Sequence, residues 1–475
     1  MIAPAGAVSG EPGGPGRGRH GRRRDRVRAT LLILFLILAA ACARSAHDPL
    51  EPAFKVTLPA EKRPFPTPLP AGQGEPRFVL RGTKGWAWTW DQYLAEVPVL
   101  ARYRMNFLMS CYTSVFTDVA DFANDWWKPL PEKSLAGIAE VARACREAGV
   151  IFCFSFHPAL FSDRPLRTDS DADFEAMWAN YASVQALGVR WFSLSYDDID
   201  VKGKDIAALG ADHAGLANRL FRRLRERDPA TELIFCPVYY WGAAAAGEAK
   251  LYTEALGRAL DQDVTLFWTG DGIVTPRITR AAAESFRRAA AGHRIVIWDN
   301  YPVNDRTGAL HLGPVTGRDP DLDEVAYGYM SNPHSPQNEI NRIPLLTCAD
   351  YAYNPRAYDP DRSIGQAILQ VTKTPLQRAV LKDLVELYPG DLICGSTSTA
   401  YNPVLERISA LMKEPGGPRL AERYLHRVNR VKKKLETEFP DRFDDAKRTL
   451  ADHVAQGRKI LGAGAPASGG KERQP

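Results

Sequence analysis

Residues 191–200 read WFSLSYDDID. An apolar run, Trp191–Leu194, breaks off at Ser195-Tyr196 and is followed at once by two carboxylates, Asp197 and Asp198. A short apolar run bounded by polar residues reads as a buried strand. Two adjacent acids where such a strand surfaces repel each other, and the pair is costly unless a ligand uses it. The same rhythm extends in both directions. Apolar runs fall at Arg77–Leu80, Asn106–Ser110, Val150–Ser155, Trp191–Ser195, Leu233–Pro237, Thr265–Trp268, Arg294–Trp298 and Val325–Met330. Between them lie amphipathic stretches such as Asp91–Tyr103, Leu135–Glu147, Phe174–Leu187, His213–Arg227, Tyr252–Leu260 and Arg277–Ala291. Eight strand–helix repeats predict a (β/α)8 barrel, for which about 250 residues is typical. A doubly wound sheet would alternate similarly, but no G-x-G-x-x-G follows the first run.

The flanks read differently. Residues 1–28 hold seven Arg against Glu11 and Asp25, which is the whole formal excess of +5. The rest of the chain is neutral, so the basic balance implies no nucleic-acid surface. The apolar stretch Leu31–Ala41 is short for a membrane span of about 20 residues. A basic start, a short apolar run and small residues form an export signal. Ala39-Ala40-Ala41-Cys42 resembles a bacterial lipobox, which makes Cys42 the expected lipidation site of an exported, membrane-anchored protein; plain secretion is the alternative. The expected organisation is an export signal over 1–42, a Pro-rich tether over 43–75 and the barrel over 76–344. A helical appendage over 345–460 and a disordered tail over 461–475 follow. The other six Cys form no C-x-x-C, so they signal neither a metal nor a redox site. They read as small buried hydrophobes, and export would permit a Cys348–Cys394 disulfide.

In such a barrel the carboxyl ends of the strands face one pocket. The residues there are Gly82 after strand one, Asp197 and Asp198 after strand four, and Tyr240 after strand five. Trp298, Asn300 and Asp305 follow strand seven, and Asn332 follows strand eight. Carboxylates, carboxamides, a phenol and an indole suit a sugar, and no cofactor is implied. His157 and His213 read as packing or capping residues. Ordinary glycoside hydrolysis needs carboxyl groups about 5 Å or more apart, and adjacent acids do not supply that naturally. They suit a substrate-assisted route, in which a 2-acetamido group attacks the anomeric carbon. One acid then orients the amide while the other protonates the leaving oxygen. Two other readings are a sugar-binding barrel without turnover and a divalent-cation site on Asp197, Asp198 and Asp200.

The ordered segments RGTKGWAWTWDQ, LSYDDID, FCPVYYWG, LFWTG, VIWDNYPVND, LGPVTGR and SNP resemble the β-N-acetylglucosaminidase domain of glycoside hydrolase family 84, the O-GlcNAcase family. The resemblance covers about residues 77–360. It implies a retaining exo-β-N-acetylglucosaminidase acting on a GlcNAc-containing glycan or glycoprotein through an oxazoline. Asp197 would polarise the acetamido group and Asp198 would be the general acid/base. Tyr240 would bond the acetamido oxygen, and Trp298 and Asn300 would wall and position the group. Asp305, Asn332 and the Gly82 carbonyl would hold hydroxyls. Two departures stand out. The family opens Gly-Phe-Tyr-Gly where this chain has Gly82-Thr83-Lys84-Gly85, and its sugar-binding Lys after strand two is matched here by about Thr113, with Lys84 a candidate replacement.

Overall fold

The computed structural model describes residues 49–115, 124–336 and 338–463. Eight parallel strands pair in sequence order and close into a barrel, β1 (Leu80–Gly85), β2 (Phe107–Ser110), β3 (Ile151–Phe156), β4 (Trp191–Ser195), β5 (Glu232–Cys236), β6 (Thr265–Trp268), β7 (Ile295–Pro302) and β8 (Gly328–Asn332). Side chains alternate across each strand. One set fills the barrel interior: Leu80, Met109, Cys153, Ile234, Phe267, Val296 and Met330. The other set, including Leu108, Phe154, Phe192, Phe235, Leu266, Ile297 and Tyr329, faces the helical layer.

That layer comprises α1 (Trp90–Arg102), α2 (Glu132–Ala148), α3 (Asp171–Gln185), α4 (Ile206–Arg227), α5 (Gly247–Ala259), α6 (Arg280–Ala289) and α7 (Asn338–Tyr353). Side-chain caps start several of these helices. Thr89 and Gln92 form a reciprocal capping box on α1, and the Asp205 carboxylate accepts the N–H groups of Ala207 and Ala208 on α4. The helix expected between β7 and β8 is absent. Residues 303–327 carry only the 3-10 turn Leu322–Glu324, because the Gly- and Pro-containing stretch 308–320 cannot sustain a helical face.

Three sequence boundaries move. The first strand runs Leu80–Gly85 rather than Arg77–Leu80; pairing with both β2 and β8 holds Gly82, Thr83 and Lys84 extended despite their weak apolar signal. Helix α7 spans residue 344, where the sequence reading ends the barrel. The last helix reaches Ala463, past the expected start of the tail. Beyond α7 come α8 (Pro360–Val371), α9 (Pro375–Leu387), α10 (Pro403–Leu411), α11 (Gly417–Glu438) and α12 (Asp444–Ala463).

The stretch expected to be a tether is bonded to the folded chain from Val56 on. The Val56 N–H donates to Glu386 Oε1 at 3.1 Å, Arg63 N–H to Gln366 Oε1 at 3.0 Å, and Thr67 N–H to Asp350 Oδ1. Extended Pro-rich backbone leaves its remaining N–H groups unpaired within itself, and these side chains satisfy them. Gly365 permits the approach, since a Cβ there would lie 2.5 Å from the Thr57 carbonyl oxygen. Cys348 and Cys394 are both free thiols, so the permitted disulfide is not formed. The export signal, Cys42 and residues 464–475 lie outside the described residues.

Candidate active site

Strand alternation places the first catalytic candidate. Phe192 and Leu194 of β4 face the helices, so Ser193, Ser195 and then Asp197 continue the inward side. Asp198 would by that rule point outward. Instead its backbone is left-handed, with φ of +58°, a conformation uncommon for a non-glycine residue. That turn brings its carboxylate into the same cavity as Asp197.

The cavity, about 120 Å³, lies at the carboxyl ends of the strands. Asp197, Asp198, Tyr240, Trp298, Asn300, Asp305 and Asn332 all line it. Gly82 does not. It sits in the middle of β1, where a Cβ would come 1.8 Å from the Phe107 carbonyl oxygen, and its own carbonyl accepts the Ser331 hydroxyl at 3.3 Å. The longer first strand carries the chain past Gly82 before it reaches the pocket, and Lys84 is the β1 residue that lines it.

The two acids differ in surroundings. Asp197 is 5% exposed; its Oδ2 accepts the Tyr112 hydroxyl at 2.9 Å, and its Oδ1 has no hydrogen-bond partner among the described residues, with His157 Nε2 3.7 Å away. The His157 ring fixes the turn beneath it. His157 Nδ1 accepts the N–H groups of Ala159 and Leu160, which leaves Nε2–H to donate to the Asp197 carbonyl at 2.8 Å. Burial pushes the His157 pKa down, so this ring is neutral. Asp198 is open to solvent, and its Oδ1 accepts the Tyr240 hydroxyl at 2.6 Å. The protein packed around one side of the carboxyl desolvates it in part, and this, then the Asp197 charge, raises the Asp198 pKa from its ordinary value, against the Tyr240 hydrogen bond and the Lys84 charge.

The opposite wall comes from β7 and β8. Alternation puts Trp298 and Asn300 inward and Asp299 outward, where Arg318 and the Tyr329 hydroxyl hold it. This buried pair anchors the strand that presents both pocket residues. The Asn300 amide donates to the Ile273 carbonyl at 2.8 Å and its oxygen accepts Asn332 Nδ2 at 2.8 Å. Asn332 Oδ1 is buried without a partner, an acceptor available to a ligand donor. Asp305 is exposed and accepts the Thr399 hydroxyl at 2.8 Å, so the loop before α10 reaches the pocket rim.

Three lining residues escaped the sequence reading in this role or were only candidates. Lys84, 2% exposed, holds its ammonium 3.7 Å from the Trp298 ring centroid, 4.9 Å from Tyr112 and 5.1 Å from Trp86. Tyr112 stands in the 3-10 turn just after β2. Its neighbour Thr113 turns away and donates to Cys111 Sγ. Trp86 follows β1 directly. Asp200, the third acid of the cation reading, is not in this cavity; it accepts the Lys202 N–H at 2.9 Å.

A family model described as beta-N-acetylglucosaminidase matches residues 78–386. The chain belongs to this family. It is a glycoside hydrolase, a β-N-acetylglucosaminidase of family 84. Among solved structures the enzyme is similar to CpGH84B, at 22% identity and a TM-score of 0.63, over 82% of this chain and 68% of that one. It is also similar to a mutant of the Thermobaculum terrenum O-GlcNAc hydrolase, at 19% identity and a TM-score of 0.62, over 82% and 83% of the two chains. At such identities the likeness concerns the barrel fold. It accords with the closed eight-stranded sheet and the helices around it.

Proposed function

We propose that the enzyme is a retaining exo-β-N-acetylglucosaminidase whose substrate supplies the nucleophile. The acetamido oxygen attacks the anomeric carbon as the glycosidic C–O bond breaks, and Asp198 gives its proton to the departing oxygen. Asp197 accepts the amide N–H and stabilises the positive charge that grows on the oxazolinium ring. Asp198, now ionised, removes a proton from water, which opens the ring on the same face and returns the β-hemiacetal. The observation that carries this reading is the left-handed turn at Asp198, which joins two adjacent acids in one cavity with different surroundings. A raised pKa suits the proton donor, and a carboxylate already bonded to Tyr112 suits the partner that stays ionised.

Tyr240 would shift its hydroxyl from Asp198 to the acetamido oxygen, and Trp298 would wall the acetamido group. Asn300, Asn332 and Asp305 are the residues we assign to position the sugar. The Lys84 ammonium has three donors and lies over the faces of Trp86, Tyr112 and Trp298 in the pocket that also holds Asp198, a position from which those donors would reach sugar oxygens. A thiazoline mimic of the oxazoline tests the reading: inhibition far stronger than by the product sugar is expected, and indifference would refute it.

We also propose that the chain is exported and anchored through a lipid on Cys42. The basic start, the short apolar run and the lipobox-like Ala39–Cys42 support this. The check is membrane partitioning of the full chain, which Cys42→Ser should abolish.

A further inference from the structure

A second cavity, about 1080 Å³, opens between the loops that follow β3 and β4. Asp198 lines it as well as the sugar pocket. The residue that must protonate the leaving oxygen therefore stands at the junction of a small pocket and a much larger groove. A leaving group bonded to that oxygen has its exit on the groove side.

The groove's chemistry differs from that of the sugar pocket. The pocket offers Trp86, Trp298, Asn300 and Asn332. The groove has no Trp, Asn or Gln among its lining residues, so it lacks the indole walls and carboxamides of the sugar pocket. Its apolar lining includes Leu160, Ile199, Val201 and Leu209, with Phe161 49% exposed at one side. Tyr196 is 2% exposed, lines the groove, and its hydroxyl has no hydrogen-bond partner; His213 stacks on its ring at 4.1 Å. Beyond Asp198, four more acids line the groove: Asp169, Asp200, Asp205 and Asp212. The cations there are Arg167 and Lys204, and Arg167 is already paired with Asp173 at 3.1 Å. The groove is net negative.

From these observations we propose that this groove is the leaving-group site and that it selects polypeptide aglycones with basic side chains beside the glycosylated residue. This rests on the assignment of Asp198 as proton donor. Aliphatic lining accommodates peptide side chains, and the acids attract Lys or Arg on either flank.

The experiment compares kcat/KM of the full chain on matched GlcNAc-serine peptides flanked by Lys, by Ala or by Glu. A GlcNAc-GlcNAc disaccharide and a chromogenic N-acetylglucosaminide complete the set. Two exposed charge pairs predict about a fivefold advantage of Lys over Glu peptides at low salt. The advantage should shrink as salt shortens the screening length to about 10 Å or less. Asp169→Asn/Asp212→Asn should remove most of it while leaving the chromogenic substrate unchanged. Equal rates on Lys and Glu peptides overturn the groove assignment alone, provided the chromogenic substrate is cleaved. So does a disaccharide that outperforms every peptide. No turnover of any substrate overturns the catalytic reading and the groove with it.

Discussion

Tyr240→Phe isolates one hydrogen bond at the centre of the site. In the free enzyme the phenol donates to Asp198 Oδ1 at 2.6 Å, a short bond that favours the ionised carboxylate and opposes the burial and Asp197 charge that raise its pKa. A hydrogen bond to a charged group contributes about 1.5–3 kcal/mol, and one pKa unit corresponds to about 1.4 kcal/mol. Removing the donor should therefore move the Asp198 titration up, by less than that full amount because the carboxyl is partly exposed to water. Asp198 must start protonated, so its titration forms the high-pH limb of the kcat/KM profile, and that limb should shift to higher pH. The plateau should fall as well, by about 10²-fold, because the phenol is also the donor assigned to the attacking acetamide oxygen. The assay is kcat/KM against pH on a fluorogenic N-acetylglucosaminide, with the apparent values assigned to the Asp197–Asp198 pair as a unit. A limb that stays in place or moves to lower pH would refute the reasoning.

Asp198→Asn should cost about 10²–10⁴-fold in kcat/KM with a poor alkyl leaving group and far less with dinitrophenol, whose departure needs no proton; equal losses on both would remove Asp198 from the acid role. Asp299→Asn, which strips the partner from buried Arg318, should cost about 3–5 kcal/mol in chemical denaturation, and Asp299→Asn/Arg318→Met should recover much of it. Glu96 lies buried beside Arg342, and burial pushes its pKa up to about 7. A raised folded-state value means stability is fullest below about pH 4.5 and declines as pH rises toward 7. Glu96→Gln should flatten that decline, worth about 3 kcal/mol by linkage; an unchanged slope would contradict the assignment.

Much of the barrel was legible because burial on both faces makes parallel strands read as apolar runs. The runs at β4 and β6 match the strands residue for residue. β1 was misplaced because its last four residues, Gly82-Thr83-Lys84-Gly85, are held by neighbours rather than by apolar content. That single shift accounts for Gly82 lying outside the cavity lining and for Lys84 standing in it. The residues at the ends of β4, β5, β7 and β8 were readable because their polar side chains interrupt apolar sequence. Tyr112 and Trp86 were not, since an aromatic residue after a strand reads equally as packing. The binding of residues 56–68 to the helical region was invisible for another reason: a proline-rich segment carries no periodicity, and the partners Asp350, Gln366 and Glu386 lie roughly 300 residues away.

Successive fluorination of the 2-acetamido methyl group weakens only the nucleophile that the substrate is proposed to supply. Measured kcat/KM across the N-acetyl, N-fluoroacetyl, N-difluoroacetyl and N-trifluoroacetyl glucosaminides should drop steeply and in order. A flat series would mean that some other group attacks the anomeric carbon, and the paired roles of Asp197 and Asp198 would fall.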